Sequence, residues 1–169
     1  LIISTIQRNG SDIMPKDIKW PRLLFWVGLS LAAGGISAWL TSGSMDVYSA
    51  LVPKPPLAPP PIAFPIVWSI LYVLMGIAAY LVSVSRGKRG PALVLFVVQL
   101  AVNAAWPVVF FNMLAFKAAF ALLVLLAALI AAVIFLFARL SRAAAWLMAP
   151  YLVWVCFAGW LNWWFAFVI

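Results

Sequence analysis

The chain of 169 residues is 68% hydrophobic and only 8% charged, and its mean hydropathy is +1.17. This is far more apolar surface than the core of one soluble domain could bury, which excludes an ordinary soluble globular protein. The formal net charge of +8 comes from short basic clusters beside apolar runs, so we expect no nucleic-acid partner. The composition predicts an integral membrane protein whose main partner is the lipid bilayer.

The first segment, residues 1–20, is a polar leader that carries charges of both signs. Residues 1–13 are expected to be additional sequence upstream of a start at Met14. No cleavable signal peptide is evident, because the first apolar run is long enough to span a membrane and lacks a clear small-residue cleavage pattern. From residue 21 to residue 169 we expect a single membrane domain.

Five apolar runs follow, at about 22–42, 64–84, 91–112, 118–138 and 143–167. Each is close to the ~20 residues that a helix needs to cross a hydrocarbon core of roughly 30 Å. The predicted fold class is therefore all-α, an integral membrane bundle of five transmembrane helices. Small residues at four-residue spacing in the first run, including Gly34, indicate close helix packing within the monomer, with a dimer contact as the alternative.

The segment between the first two predicted helices, residues 43–63, is a proline-rich loop. Each proline fixes its own φ, removes a backbone N–H and pushes the preceding residue out of the α region. The loop is therefore predicted to be stiff and extended.

Polar and aromatic residues share one face on three of the predicted helices. The faces are Trp68, Tyr72, Met75 and Ala79; Gln99, Asn103, Trp106 and Phe110; and Trp154, Ala158, Asn162 and Phe165. Because an amide in lipid is costly, the two amides Gln99 and Asn103 are expected to face the bundle interior, where another helix or a ligand satisfies them. Aromatic walls with a few amides suit a flat amphipathic ligand. Core packing without a ligand is the alternative.

Two single residues carry further predictions. Pro107 interrupts the third helix one residue after Trp106 and cannot make the helical bond to the carbonyl of Asn103, which predicts a kink. Cys156 is the only cysteine, so no intrachain disulfide can form, and it is expected to be a small buried apolar side chain.

The basic residues are divided unevenly between the two ends of the predicted bundle. One end holds Arg8, Lys16, Lys19, Arg22, Arg86, Lys88, Arg89, Arg139 and Arg142, and the other holds Lys54 and Lys117. The positive-inside rule then predicts a cytoplasmic N-terminus, an outer C-terminus and a proline-rich loop on the outer side.

The loop and the second helix contain an ordered set of motifs: Tyr48, Lys54-Pro55, Pro59-Pro60, Val67-Trp68, Leu71-Tyr72 and Met75-Gly76. The set continues with Gln99, Asn103, Trp106, Pro150-Tyr151, Trp154, Phe157-Ala158 and Leu161-Asn162. In these motifs the chain resembles the translocator protein family, also called tryptophan-rich sensory proteins or peripheral-type benzodiazepine receptors. It departs at Pro61-Ile62, where that family commonly has Gly-Trp, and at Pro107, where it usually has serine.

The resemblance implies a bacterial-type membrane receptor or sensor for a flat hydrophobic ligand, a tetrapyrrole such as protoporphyrin IX or haem. The ligand would lie between helices and beneath the proline loop. The family's pocket maps onto Tyr48, Trp68, Asn103, Trp106, Trp154 and Ala158, and its loop cap onto Lys54, Pro55, Pro59 and Pro60. The resemblance also implies the cytoplasmic membrane of a bacterium and a homodimer through the third helix, where Ala101 and Ala105 lie opposite the polar stripe.

Two other functions stay open. One is enzymatic, the light- and oxygen-dependent degradation of porphyrin known in some bacterial relatives, with Trp68 and Trp154 as candidate redox partners. The other is a translocation or structural role. The sequence has no histidine or glutamate and its three aspartates lie outside the spans, so no metal site, required cofactor or conventional catalytic constellation is expected. Haem would lack a histidine ligand, and a metal-free macrocycle is expected to bind at least as readily.

Overall fold

The computed structural model describes residues 18–44, 55 and 58–168. Its helices are α1 (Trp20–Thr41), α2 (Ala63–Val84), α3 (Gly90–Pro107), α4 (Phe116–Ala138) and α5 (Arg142–Phe167), with a π-helical turn, Val108–Asn112, extending α3. These described ranges contain no strand, and five helices are long and apolar enough to cross a membrane. The prediction of an all-α, five-helix membrane bundle is confirmed.

The helices form a ring in the order α1, α2, α5, α4, α3, and α3 returns to contact α1. The last helix of the chain therefore inserts between α2 and α4. Because α2, α3 and α5 each turn their polar and aromatic face inward, side chains far apart in sequence meet inside the ring. The prediction that Gln99 and Asn103 face the interior is confirmed, since both are buried.

The contact between α1 and α2 depends on glycine. Gly76 of α2 lies so close to α1 that an added Cβ would stand 2.8 Å from the backbone nitrogen of Val27. On α1, a methyl group at Gly34 would overlap the ring of Tyr72. Small residues let helix backbones approach closely where hydrophobic burial alone does not drive association. The small face of α1 near Gly34 therefore packs within the monomer, as predicted.

The change of helix geometry after Pro107 is local. The N–H of Val108 donates to the carbonyl of Ala105, three residues back, and the N–H of Met113 donates to the carbonyl of Val108, five residues back, at 3.2 Å. A π-helical turn is a common response to a disturbance in the helical ladder. The disturbance predicted at this proline thus takes the form of a widened turn.

Helix α4 packs through a single apolar stripe at alternating spacings of three and four residues. Its buried side chains are Ala119, Leu123, Leu126, Ile130, Val133 and Phe137. On α5 the prediction that Cys156 is buried is wrong, because this thiol lies on the exposed outer face of the helix. The inner face of α5 at that level is formed by Val155 and Ala158 instead.

Candidate functional site

A chain of hydrogen bonds crosses the interior from α2 to α5. The hydroxyl of Tyr72 donates to Oδ1 of Asn103 at 2.8 Å, and Nδ2 of Asn103 donates to the hydroxyl of Tyr151 at 2.6 Å. The Tyr151 hydroxyl in turn donates to Oε1 of Gln99 at 3.0 Å. All four groups are buried. The amide of Asn103 is thus held by protein partners on both sides.

A second set of hydrogen bonds lies where α3, α4 and α5 meet. The indole N–H of Trp106 donates to Oδ1 of Asn162 at 3.1 Å, and Nδ2 of Asn162 donates to the carbonyl of Phe116 at 2.9 Å. The ring of Trp106 also packs against Phe110, with centroids 5.4 Å apart. These contacts fix the indole in one orientation inside the core.

Trp68 connects the polar chain to the N-terminal half of α2. Its ring stacks on Tyr72 at a centroid distance of 5.6 Å and meets Tyr151 edge-on at 6.1 Å. The side chain is half-buried. Trp68 therefore covers the hydrogen-bonded tyrosines on one side.

An apolar groove of about 740 Å³ runs between α2 and α5 beneath the end of the proline loop. It is lined by Pro59, Val67, Ile70, Leu71, Leu74, Pro150, Val153, Trp154 and Phe157. Ile70 and Val153 are exposed on the outer surface of the bundle. Because the helices span the membrane, the groove opens sideways toward the lipid.

Trp154 forms part of the wall of this groove and has an unusual hydrogen-bonding state. Its ring contacts Phe64 at 5.8 Å and Phe157 at 5.5 Å. Its Nε1 is buried and has no hydrogen-bond acceptor in the part of the chain that the structure describes. Buried indole N–H groups usually find a partner, so this donor is an unsatisfied polar group beside the groove.

The structure distributes the predicted site residues over two regions. Trp154 and Pro59 line the groove, whereas Asn103, Trp106 and Ala158 lie in the buried interior. In the loop, Pro55 is buried and Pro60 is exposed. Tyr48 and Lys54 lie outside the described residues.

The predicted set missed Tyr151 and the apolar groove residues Val67, Pro150 and Phe157. The signal for Tyr151 was present, since it precedes Trp154 by three positions and so extends the same face of α5 by one turn. Val67, Pro150 and Phe157 stand in the motifs of the family resemblance, but nothing in the sequence indicates that they border one groove. They are ordinary apolar side chains of lipid-facing helices, and only the packing of α5 against α2 brings them together.

Comparison with known proteins places the chain in a family. A sequence model of the TspO/MBR family matches residues 26–167. The tryptophan-rich protein TspO of Chlorobaculum tepidum is 37% identical over 143 residues, which cover 83% of this chain and 90% of the relative. The tryptophan-rich sensory protein of Cereibacter sphaeroides is 37% identical over 135 residues, which cover 78% of this chain and 84% of the relative. The translocator protein of Bos taurus is 33% identical over 147 residues, which cover 85% of this chain and 87% of the relative. Most of this chain and of each relative is thus aligned, and the chain is a member of the TspO/MBR family of integral membrane proteins.

Proposed function

We propose that this protein is a membrane receptor or sensor that binds a flat hydrophobic ligand in the α2–α5 groove, and that a tetrapyrrole is the first candidate. The observation that carries the proposal is Trp154, whose ring walls an apolar groove while its buried indole N–H lacks an acceptor among the described residues. A buried unpaired donor costs about 1–3 kcal/mol. A ligand acceptor that met this N–H after a small rotation of the indole would remove that cost on binding.

The size and surface of the groove suit such a ligand. Its volume of about 740 Å³ falls in the range of roughly 300–1,000 Å³ that is typical of small-molecule sites. Trp154 and Phe157 offer aromatic faces to a macrocycle, and stacking of this kind adds to the gain from apolar burial. Because Ile70 and Val153 are exposed at its mouth, a ligand dissolved in the bilayer can enter from the side.

The chemistry of the walls favours a metal-free ring. None of the groove-lining side chains, which are proline, valine, isoleucine, leucine, tryptophan and phenylalanine, supplies an atom that ligates iron. Haem sites in proteins use histidine, cysteine, methionine or tyrosine. We therefore propose protoporphyrin IX, bound by ring contacts and by an acceptor opposite Trp154, rather than haem held through its metal.

The relatives' names agree with this proposal at the level of class. They include tryptophan-rich sensory proteins and translocator proteins. For the location we propose the cytoplasmic membrane of a bacterium with the N-terminus inside. The support is the bacterial origin of the relatives in Chlorobaculum and Cereibacter and the concentration of basic residues at one end of the bundle.

The test is a titration of the purified protein in detergent with protoporphyrin IX in the dark, read by quenching of tryptophan fluorescence. The proposal expects saturable binding at one site per chain, and weaker or equal binding of haem. Quenching that rises linearly without saturation would contradict it. Repeating the measurement in light and oxygen separates two roles, since consumption of the bound porphyrin would assign degradation rather than sensing.

A further inference from the structure

Two turns at the same end of the bundle pack against each other. The α2–α3 turn bends at Gly87, which has a φ of +108°, and a Cβ added there would lie 3.3 Å from Cδ2 of Leu140 in the α4–α5 turn. A positive φ of this kind favours glycine. We call this pair of touching turns the double turn. Its basic residues are all exposed, and they are Arg86, Lys88, Arg89, Arg139 and Arg142.

These cations have no acidic partner nearby in sequence. The three acidic residues of the chain are Asp12, Asp17 and Asp46, so residues 58–168, which include the whole double turn, contain none. The contacts that two of its arginines make leave their charge uncompensated. Arg139 lies over the ring of Phe135, 4.3 Å from the centroid, and Arg89 donates to the carbonyl of Ser85 at 3.1 Å. Among the described residues, therefore, no acidic side chain offsets the five positive charges of the double turn.

Exposed tryptophans set the depth of this surface in the membrane. Trp146 is 77% exposed and follows Arg142 by one turn on the same face of α5, and Trp20 is 59% exposed at the start of α1. The start of α1 lies at the same end, because the backbone N–H of Lys19 donates to the hydroxyl of Tyr80 in the last turns of α2 at 3.0 Å. Tryptophan is enriched at the two membrane interfaces, where its ring lies at the headgroup level. The basic side chains of the double turn then lie among lipid phosphates.

We propose that the double turn is a binding site for the headgroup of an anionic phospholipid in the leaflet at that end. Guanidinium groups bind phosphate oxygens through paired N–H donors. Each Lys or Arg near an anionic membrane surface contributes about 1 kcal/mol, which corresponds to a factor of about five in affinity. With Arg142 at the phosphate, Trp146 lies one turn deeper on the same face, beside the ester region and the first methylenes of the same lipid. This contact requires a lipid and not a free phosphate.

The test uses the purified full-length protein in phosphatidylcholine nanodiscs that contain a small fraction of phosphatidylglycerol with the same acyl chains. Native mass spectrometry of the released protein measures how many molecules of each lipid remain bound. We expect a preference for phosphatidylglycerol of at least about tenfold, and the R139Q/R142Q variant should reduce it by about fivefold or more. K117Q, which removes a positive charge at the opposite end, is the control and should retain the preference.

Two further measurements make the result decisive without relying on the variants. Raising the salt concentration to 0.5 M should weaken the preference in the parent protein, because salt screens exposed charges. Glycerol 1-phosphate at millimolar concentration should fail to displace the lipid. Equal binding of the two lipids by the parent, an equal loss in K117Q, or displacement by glycerol phosphate would each overturn the proposal, the last by assigning a site for soluble anions.

Discussion

Asn103 on α3 and Tyr151 on α5 are joined by a hydrogen bond of 2.6 Å in the middle of the bundle. Each side chain also makes a second hydrogen bond: the Asn103 amide accepts from the Tyr72 hydroxyl, and the Tyr151 hydroxyl donates to the Gln99 amide. Rotating any of the three helices would leave a buried donor or acceptor without a partner, which is costly in an apolar interior. The polar residues of the interior therefore fix how α2, α3 and α5 face one another, whatever ligand the protein binds.

The first prediction concerns this polar chain. Replacing Asn103 by leucine leaves the Tyr72 hydroxyl without its acceptor and Tyr151 without one donor. We expect the free energy of unfolding to fall by about 1–3 kcal/mol, measured by denaturation of the protein in detergent. Asn112→Leu is the matched control, because that amide is exposed and donates to the carbonyl of Leu40. Equal stability of the Asn103→Leu variant and the parent would show that the chain contributes nothing to stability.

The second prediction concerns the close approach of α1 and α2. A methyl group at Gly76 would stand 2.8 Å from the backbone nitrogen of Val27, and backbone cannot move aside as a flexible side chain can. Gly76→Ala should therefore destabilise the bundle by about 1–3 kcal/mol and increase protease cleavage around α1. Gly35→Ala makes the same change on the outer face of α1, where an added Cβ meets nothing within 4 Å. It should leave stability nearly unchanged, and a similar loss in both variants would argue against a specific contact.

Periodicity predicted the inward faces of this bundle correctly because burial follows helical spacing. Gln99, Asn103, Trp106 and Phe110 recur at spacings of four, three and four, and all four are buried. What these side chains contact could not be predicted in the same way. The insertion of α5 between α2 and α4 decides that Asn103 bonds Tyr151 and that Trp106 bonds Asn162.

The groove between α2 and α5 could not be predicted from the sequence, for a related reason. Its walls are apolar residues of lipid-facing helix surfaces, and such residues look alike whether they border a groove or plain lipid. The prediction for Cys156 was wrong for a different reason. It rested on the residue type alone, whereas Cys156 lies two positions after Trp154 and therefore on the opposite, outer face of α5. The role of Asn103, Trp106 and Ala158 in ligand binding stays a prediction.

The third prediction concerns assembly. Ala101 and Ala105 are both exposed on the outer face of α3, and small residues at this spacing let two helices approach closely in lipid. If the protein is a homodimer through α3, replacing both by leucine should reduce the yield of crosslinked dimer several-fold in membranes. Ala121 and Ala128 are exposed on α4, and their replacement by leucine is the control. An unchanged crosslinking pattern in the α3 variant would exclude this interface.

The fourth prediction concerns orientation. Seven of the eight basic side chains in the described ranges lie at the end formed by the start of α1, the α2–α3 turn and the α4–α5 turn, and only Lys117 lies at the other. With five spans, a cytoplasmic N-terminus requires an outer C-terminus. Alkaline phosphatase fused after Ile169 should be active, and green fluorescent protein fused there should be dark when it is exported by the Sec pathway. The opposite pattern would reverse the topology.

The last prediction tests Trp154 as the wall of the binding groove. Trp154→Leu keeps α5 apolar and able to insert but removes a ring face and the unpaired indole N–H. Stacking contributes about 0.5–1.5 kcal/mol beyond area burial, and the lost contact area adds to this at roughly 25 cal/mol per Å². The affinity for protoporphyrin IX should therefore fall about tenfold or more, measured by the same fluorescence titration. Trp20→Leu is the matched control, because Trp20 is exposed at the start of α1. The affinity of this variant for protoporphyrin IX should stay within about twofold of the parent's.

A second substitution separates the two contributions of Trp154. Trp154→Phe retains an aromatic face against Phe157 but removes Nε1, so any affinity lost in this variant reports the hydrogen bond from the indole to the ligand. A hydrogen bond of this kind is worth about 0.5–1.5 kcal/mol, which predicts an affinity between those of the parent and the leucine variant. The yield of folded protein in detergent shows whether a variant is damaged in general. If both Trp154 variants fold and bind protoporphyrin IX as tightly as the parent, the groove is a packing defect filled by lipid, and the binding site must lie elsewhere in the bundle.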